Sequence, residues 1–124
     1  MNRLLIIDSS RITAMSVRNS LYLKAPRVQV FEASSEKDAI TIALEINPDL
    51  ILLDFNSPMI HAASMAEALR KYPHLESVPI VGISHVRQLR EEALAMCKQC
   101  DDWLQKPISS TALFSVLAQF SVMA

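Results

Sequence analysis

A chain of 124 residues, 51% hydrophobic and 20% charged, has enough apolar material for one core and too much to remain disordered. Its formal net charge is −1, and no block of Lys or Arg stands out, so it lacks the basic footprint of a nucleic-acid binder. Its apolar runs are short, and Asp8 interrupts the N-terminal one before a signal peptide or a membrane span could form, so a cytoplasmic chain with no membrane association is expected.

The first strand is expected over Leu4–Ile7, ending on Asp8 and two serines. Asp8 is either part of a cation site or, with Ser9 and Ser10, the cap of the helix that follows; the two roles are compatible. Ala14, Val17 and Leu21 then recur at helical spacing. A second strand is expected over Val28–Phe31, and a second helix marked by Ala39, Ala43 and Ile46 opens at the capping pattern Ser35-Glu36-Lys37-Asp38. Leu50–Leu53 is apolar without alternation, as a strand buried on both faces should be, and it runs into Asp54.

Met65 and Leu69 mark a third helix, Ile80–Ile83 a fourth strand ending at Ser84 and His85, and Leu89, Ala93 and Met96 a fourth helix. Trp103–Leu104 is a brief fifth strand before Lys106, and Leu113, Leu117 and Phe120 mark a fifth helix. Pro48, Pro58, Pro79 and Pro107 fall at element boundaries. Five alternating strand–helix units predict a three-layer α/β domain with a parallel sheet, spanning 1–124 without a linker or repeat.

Such sheets bind ligands beyond the carboxyl ends of their strands. The residues placed there are Asp8 and Ser9, Asp54, Ser84 and His85, and Lys106. Each alone is an ordinary cap, loop charge or turn hydroxyl, but the two acids Asp8 and Asp54, the Ser84 hydroxyl and the Lys106 ammonium converging on one edge make a site the expectation. Gly82 is the single glycine, so no glycine-rich phosphate loop can be written, and any phosphate must be handled by side chains. Cys97 and Cys100 form a C-x-x-C at the expected end of a helix, where the dipole disfavours a thiolate. Zinc would need two further ligands, and His61, His74 and His85 are scattered, so two buried thiols are the expectation.

Three of these segments resemble the receiver domain of two-component response regulators: "PDLILLDFNSP" (48–58), "VPIVGISH" (78–85) and "CDDWLQKP" (100–107). Asp54, Ser84 and Lys106 are separated by 30 and 22 positions, as in that family. The resemblance covers nearly the whole chain. It implies a flavodoxin-like (βα)5 fold, doubly wound, with five parallel strands in the order 2-1-3-4-5. It implies a signalling domain rather than a turnover enzyme, with Asp54 as phosphoacceptor for a partner histidine kinase or phosphotransfer protein. Lys106 and Ser84 would contact the phosphoryl oxygens, and Trp103 would follow Ser84 as a switch. Mg²⁺ would be held by Asp8, Asp54, the backbone carbonyl of Asn56 and, through water, Ser9.

The family normally has two adjacent acids after its first strand, and here the second is Ser9, so cation affinity is expected to drop about 10–100-fold or more. The loop Met59-Ile60-His61-Ala62 replaces a usual acid and glycine, His85 a small residue at the mouth of the site, and Gln99 a helix-ending glycine. These departures support the alternative of a pseudo-receiver that binds partners without phosphorylation. A hydrolase using Asp54 would need a general acid two residues on, where Asn56 cannot serve. The last eighteen residues carry no charge, and Phe114, Ala118 and Val122 form a second apolar line beside the core line. The resemblance puts a surface for a second copy or an effector on the face of the fourth helix, fifth strand and fifth helix.

Overall fold

The computed structural model describes residues 2–57, 59–85 and 97–122. Five strands, β1 (Arg3–Ile7), β2 (Gln29–Ala33), β3 (Leu50–Asp54), β4 (Ile80–Ser84) and β5 (Asp102–Gln105), form one parallel sheet in the order β2-β1-β3-β4-β5. Helices α1 (Arg11–Lys24), α2 (Glu36–Ile46) and α3 (Ala62–Arg70), and a C-terminal helix (Ser110–Gln119), pack on its faces. The predicted fourth helix, around Leu89–Met96, and Pro58 lie outside the described residues.

Alternation along the strands builds two cores. Leu4 and Ile6 face α1 and the C-terminal helix, together with Leu50, Leu52, Val81 and Ile83. Leu5 and Ile7 face the other way, with Ile51, Leu53 and Ile80, against α2 and α3. All five residues of β3 are buried, which is why its sequence shows no polar face.

The second strand lies later than its apolar residues suggest, at Gln29–Ala33 rather than Val28–Phe31. It is a half-exposed edge strand, so burial does not mark its bounds in sequence, and pairing with β1 sets them. Helix starts follow their caps: Ser10 and Ser35 accept from the backbone N–H groups of Ile12 and Asp38. Gln99 takes no positive φ, so the missing glycine there carries no backbone strain.

The C-terminal helix corrects the expected apolar surface line. The helix stops at Gln119, Ser121 adopts a left-handed φ of 58°, and the N–H of Val122 bonds to the carbonyl of Leu117 at 2.8 Å. This Schellman-type ending folds Val122 into the core, fully buried. Phe114 is half-buried, with Lys24 Nζ 5.5 Å from its ring centroid. Of the three residues only Ala118 is exposed. The large exposed apolar side chains among the described residues are instead Ile12, Met15, Tyr22 and Leu23 of α1, and Met59.

Candidate functional site

Asp8, Asp54, Ser84 and Lys106 are held by ladder bonds at or just past the ends of their strands. Asp8 N–H donates to Ala33 O at 3.0 Å, Phe55 N–H to Ile83 O at 2.9 Å and Lys106 N–H to Ser84 O at 2.8 Å. The carboxyl ends of β1, β3, β4 and β5 are thereby held in one register, and their side chains meet at one edge of the sheet.

At the centre is Lys106. Its Nζ donates to Asp8 Oδ2 at 2.8 Å and stands 3.2 Å from Asp54 Oδ1. Both carboxylates are buried, with Asp8 6% and Asp54 2% exposed. Asp54 Oδ1 also accepts the N–H of Asn56 at 3.1 Å. Ser84 is buried at the end of β4, on the strand adjacent to Asp54. The structure therefore brings Asp8, Asp54, Ser84, Asn56 and Lys106 together.

Ser9 sits at the rim, exposed, where its hydroxyl accepts from Ser57 at 2.8 Å and links the β1–α1 loop to the β3–α3 loop. Ser10, not Ser9, caps α1. His85 is exposed, and its N–H donates to the side-chain oxygen of Asn56. With Ser10, Ile12, Thr13, Lys106 and Pro107 it lines a cavity of about 290 Å³ beside the cluster. The Lys106–Pro107 peptide bond is cis.

Trp103 lies on the other side, with its ring centroid 4.6 Å from that of Phe55, the residue after Asp54. Its buried Nε1 finds no acceptor among the described residues. Cys97 and Cys100 lie away from the cluster, near the amino ends of β4 and β5, and are buried free thiols.

The two acids are shifted in opposite directions. Burial pushes both carboxyls up. At Asp8 the hydrogen bonds from Lys106, the Thr13 hydroxyl and the Ser10 N–H outweigh burial and hold it below the ordinary 3.8. At Asp54 burial, reinforced by the negative charge of Asp8, outweighs the Asn56 N–H and Lys106, and the group lies above 3.8. Lys106 lies closer to Asp8, at 2.8 Å, than to Asp54, at 3.2 Å. Two carboxylates against one ammonium leave the cluster one negative charge in excess when all are ionised. Its donors are all oxygen, the set suited to Mg²⁺. Among the described residues no group of three or more His, Cys, Asp or Glu assembles, so such an ion would rest on fewer anions than a dedicated metal cage provides.

Thr13 was not legible as a site residue. Its hydroxyl donates to Asp8 Oδ2 at 2.6 Å. The available signal was the spacing Thr13, Val17, Leu21, which puts a polar residue in line with two core residues on the inner face of α1.

Comparison with known proteins agrees with this architecture. The response regulator receiver domain family matches residues 4–118. The regulator RpaA of Synechocystis, described as a DNA-binding dual master transcriptional regulator, is 27% identical over 107 residues, covering 86% of this chain and 44% of RpaA. Protein PilH of Pseudomonas aeruginosa is 24% identical over 122 residues, covering 94% of this chain and 95% of PilH. The chain spans between about a tenth and about half of the length of the first four curated relatives it matches. Among solved structures, the chemotaxis protein CheY4 of Vibrio cholerae superposes with a TM-score of 0.83 at 21% identity, covering 97% of this chain and 98% of that one. A two-component response regulator from Legionella pneumophila gives 0.84 at 18% identity, covering 99% and 100%. With the family match running from β1 into the C-terminal helix, the chain belongs to the response regulator receiver domain family, the signalling domain of two-component systems.

Proposed function

We propose that this chain is a phosphoacceptor receiver acting as one unit over residues 1–124, in the cytoplasm. Asp54 takes a phosphoryl group from a histidine kinase or phosphotransfer protein. A carboxylate oxygen of Asp54 forms a bond to phosphorus as the phosphorus–nitrogen bond of a phosphohistidine breaks. The imidazole of the partner keeps the electron pair and takes up a proton. The observation that carries this reading is the buried trio of Asp54, Lys106 and Asp8, in which one ammonium lies 3.2 Å and 2.8 Å from two carboxylates.

In this reading Lys106 balances charge on Asp54 and on the transferred group, in a site where burial strengthens such interactions. Ser84, on the neighbouring strand, supplies a hydroxyl to a phosphoryl oxygen. Trp103, in contact with Phe55, relays the change at Asp54 toward the face of β5. Asp8, Asp54 and the Asn56 carbonyl would hold Mg²⁺, with Ser9 contributing through water; when bound, the ion supplies positive charge to the phosphoryl oxygens.

Ser9 favours the second reading, a pseudo-receiver. It adds no charge, and its hydroxyl already serves Ser57 as a direct bridge between the two loops. Incubation with acetyl phosphate or beryllofluoride and Mg²⁺, followed by intact mass and Trp103 fluorescence, separates the two. An adduct that disappears in Asp54→Asn supports the receiver. No response at tens of millimolar Mg²⁺ selects the pseudo-receiver.

A further inference from the structure

We propose that Thr13 is a positioning residue that fixes the Asp8 carboxylate, turning Oδ2 to Lys106 and leaving Oδ1 as the oxygen able to accept a divalent cation. This rests on the receiver reading above and extends it to a residue of α1. Thr13 is buried, and its hydroxyl donates to Asp8 Oδ2 at 2.6 Å. The same oxygen receives Lys106 Nζ at 2.8 Å, so both of its lone pairs are engaged. Oδ1 receives the N–H of Ser10 at 2.9 Å, which leaves it one lone pair among the described residues.

The helix does not need Thr13 for its own capping. Ser10 is the N-cap, and its hydroxyl accepts from Ile12 N–H at 3.3 Å. Thr13 stands at the third helical position, where a capping-box residue would reach back to the N-cap N–H. Here Asp8 serves that N–H, and Thr13 donates to Asp8. The start of α1 and the carboxylate thus form one closed hydrogen-bonded unit. With Ser9 unable to add charge, Asp8 is the one acid from the β1–α1 turn within the cluster, and its orientation matters more than it would beside a second acid. Carboxylate ligands are commonly oriented by such outer partners.

Thr13→Val keeps the shape and removes the donor; Thr13→Ser keeps the donor and loses a methyl group. Calorimetric titration of the unphosphorylated protein with Mg²⁺ should show binding weakened about tenfold in Thr13→Val and within about twofold of native in Thr13→Ser. Thr13→Ala, judged against the same Thr13→Ser reference, serves if the valine variant does not fold. Melting curves without Mg²⁺ identify any general loss of structure. Because Thr13 acts on cation binding, the rate of acetyl-phosphate labelling should recover toward native at saturating Mg²⁺. Unchanged Mg²⁺ affinity in Thr13→Val, or an equal loss in Thr13→Ser, overturns the proposal. A native chain that binds Mg²⁺ and is labelled while Thr13→Val matches it leaves the receiver reading intact and removes only this one. A native chain with neither response removes both.

Discussion

The indole of Trp103 occupies the space that a Cβ on Gly82 would need. The two residues are partners across β4 and β5, and an added Cβ would stand 2.5 Å from a carbon of the ring. The single glycine is therefore required by close approach rather than by backbone conformation, since its φ is not positive. Gly82→Ala should displace the indole from Phe55, cost about 1–3 kcal/mol and change Trp103 fluorescence. Denaturant melts of Gly82→Ala, Trp103→Ala and the double variant test this. A double variant as destabilised as the two singles summed would show that the ring is not the obstacle.

Asp54 and Asp8 should respond to pH in opposite senses. The folded pKa of Asp54 is raised, so its contribution to stability is fully present below 3.8 and is lost as pH rises through the folded value. The folded pKa of Asp8 is lowered, so its contribution is present above 3.8 and is lost as pH falls through the folded value. Asp54→Asn should accordingly raise the urea midpoint at pH 7, with the gain vanishing below about pH 4, near the ordinary carboxylate value. Asp8→Asn should lower the midpoint at pH 7 by an amount equivalent to about 1–3 kcal/mol, and the gap should close in acid. If Asp54→Asn were the less stable protein at neutral pH, the excess charge assigned to the cluster would be wrong.

Lys106→Met removes the cation and leaves two buried carboxylates facing each other. The expected loss is about 3 kcal/mol or more at neutral pH, smaller at acid pH where one of the acids takes a proton. The same variant should lose labelling by acetyl phosphate. Adding Asp54→Asn to it should recover part of the stability, because one anion has gone, but none of the labelling. Equal melting midpoints for Lys106→Met and the double variant would argue that Asp54 does not carry the buried charge left uncompensated when Lys106 is removed.

Sequence legibility here followed burial. β1 and β3 are fully buried at their centres, and their apolar runs marked them to within a residue of their bounds. Asp54, Ser84 and Lys106 were legible because each ends or directly follows a strand, and a parallel sheet delivers every strand end to the same edge. The edge strand β2 was displaced because half-exposed residues carry little pattern. The C-terminal apolar line failed for a different reason. Helical periodicity was carried through to Val122, but the chain leaves the helix at Phe120, and a left-handed Ser121 returns Val122 to the core. Thr13 escaped notice because a hydroxyl on an apolar face shows its partner only in three dimensions.

Cys97 and Cys100 should be inert in the folded protein. They are 5% and 7% exposed, and burial, together with the Cys97 side chain, pushes the Cys100 thiol well above its ordinary 9. The turn that carries them is held from outside. Arg70 donates to Gln99 O at 3.0 Å and to Asp101 Oδ2 at 3.0 Å, and that carboxylate also accepts Ile80 N–H at 2.9 Å. Iodoacetamide at pH 8 should leave both thiols unlabelled in the native protein and label both in urea, read by intact mass. Arg70→Gln, which releases the turn, should cost about 2 kcal/mol and speed native-state labelling of Cys97 and Cys100. Acetyl-phosphate labelling of Asp54 should stay near native in the folded fraction, since Arg70 lies at the far end of the sheet. Rapid alkylation of the native chain would instead place the pair at an accessible, reactive surface and contradict the burial described.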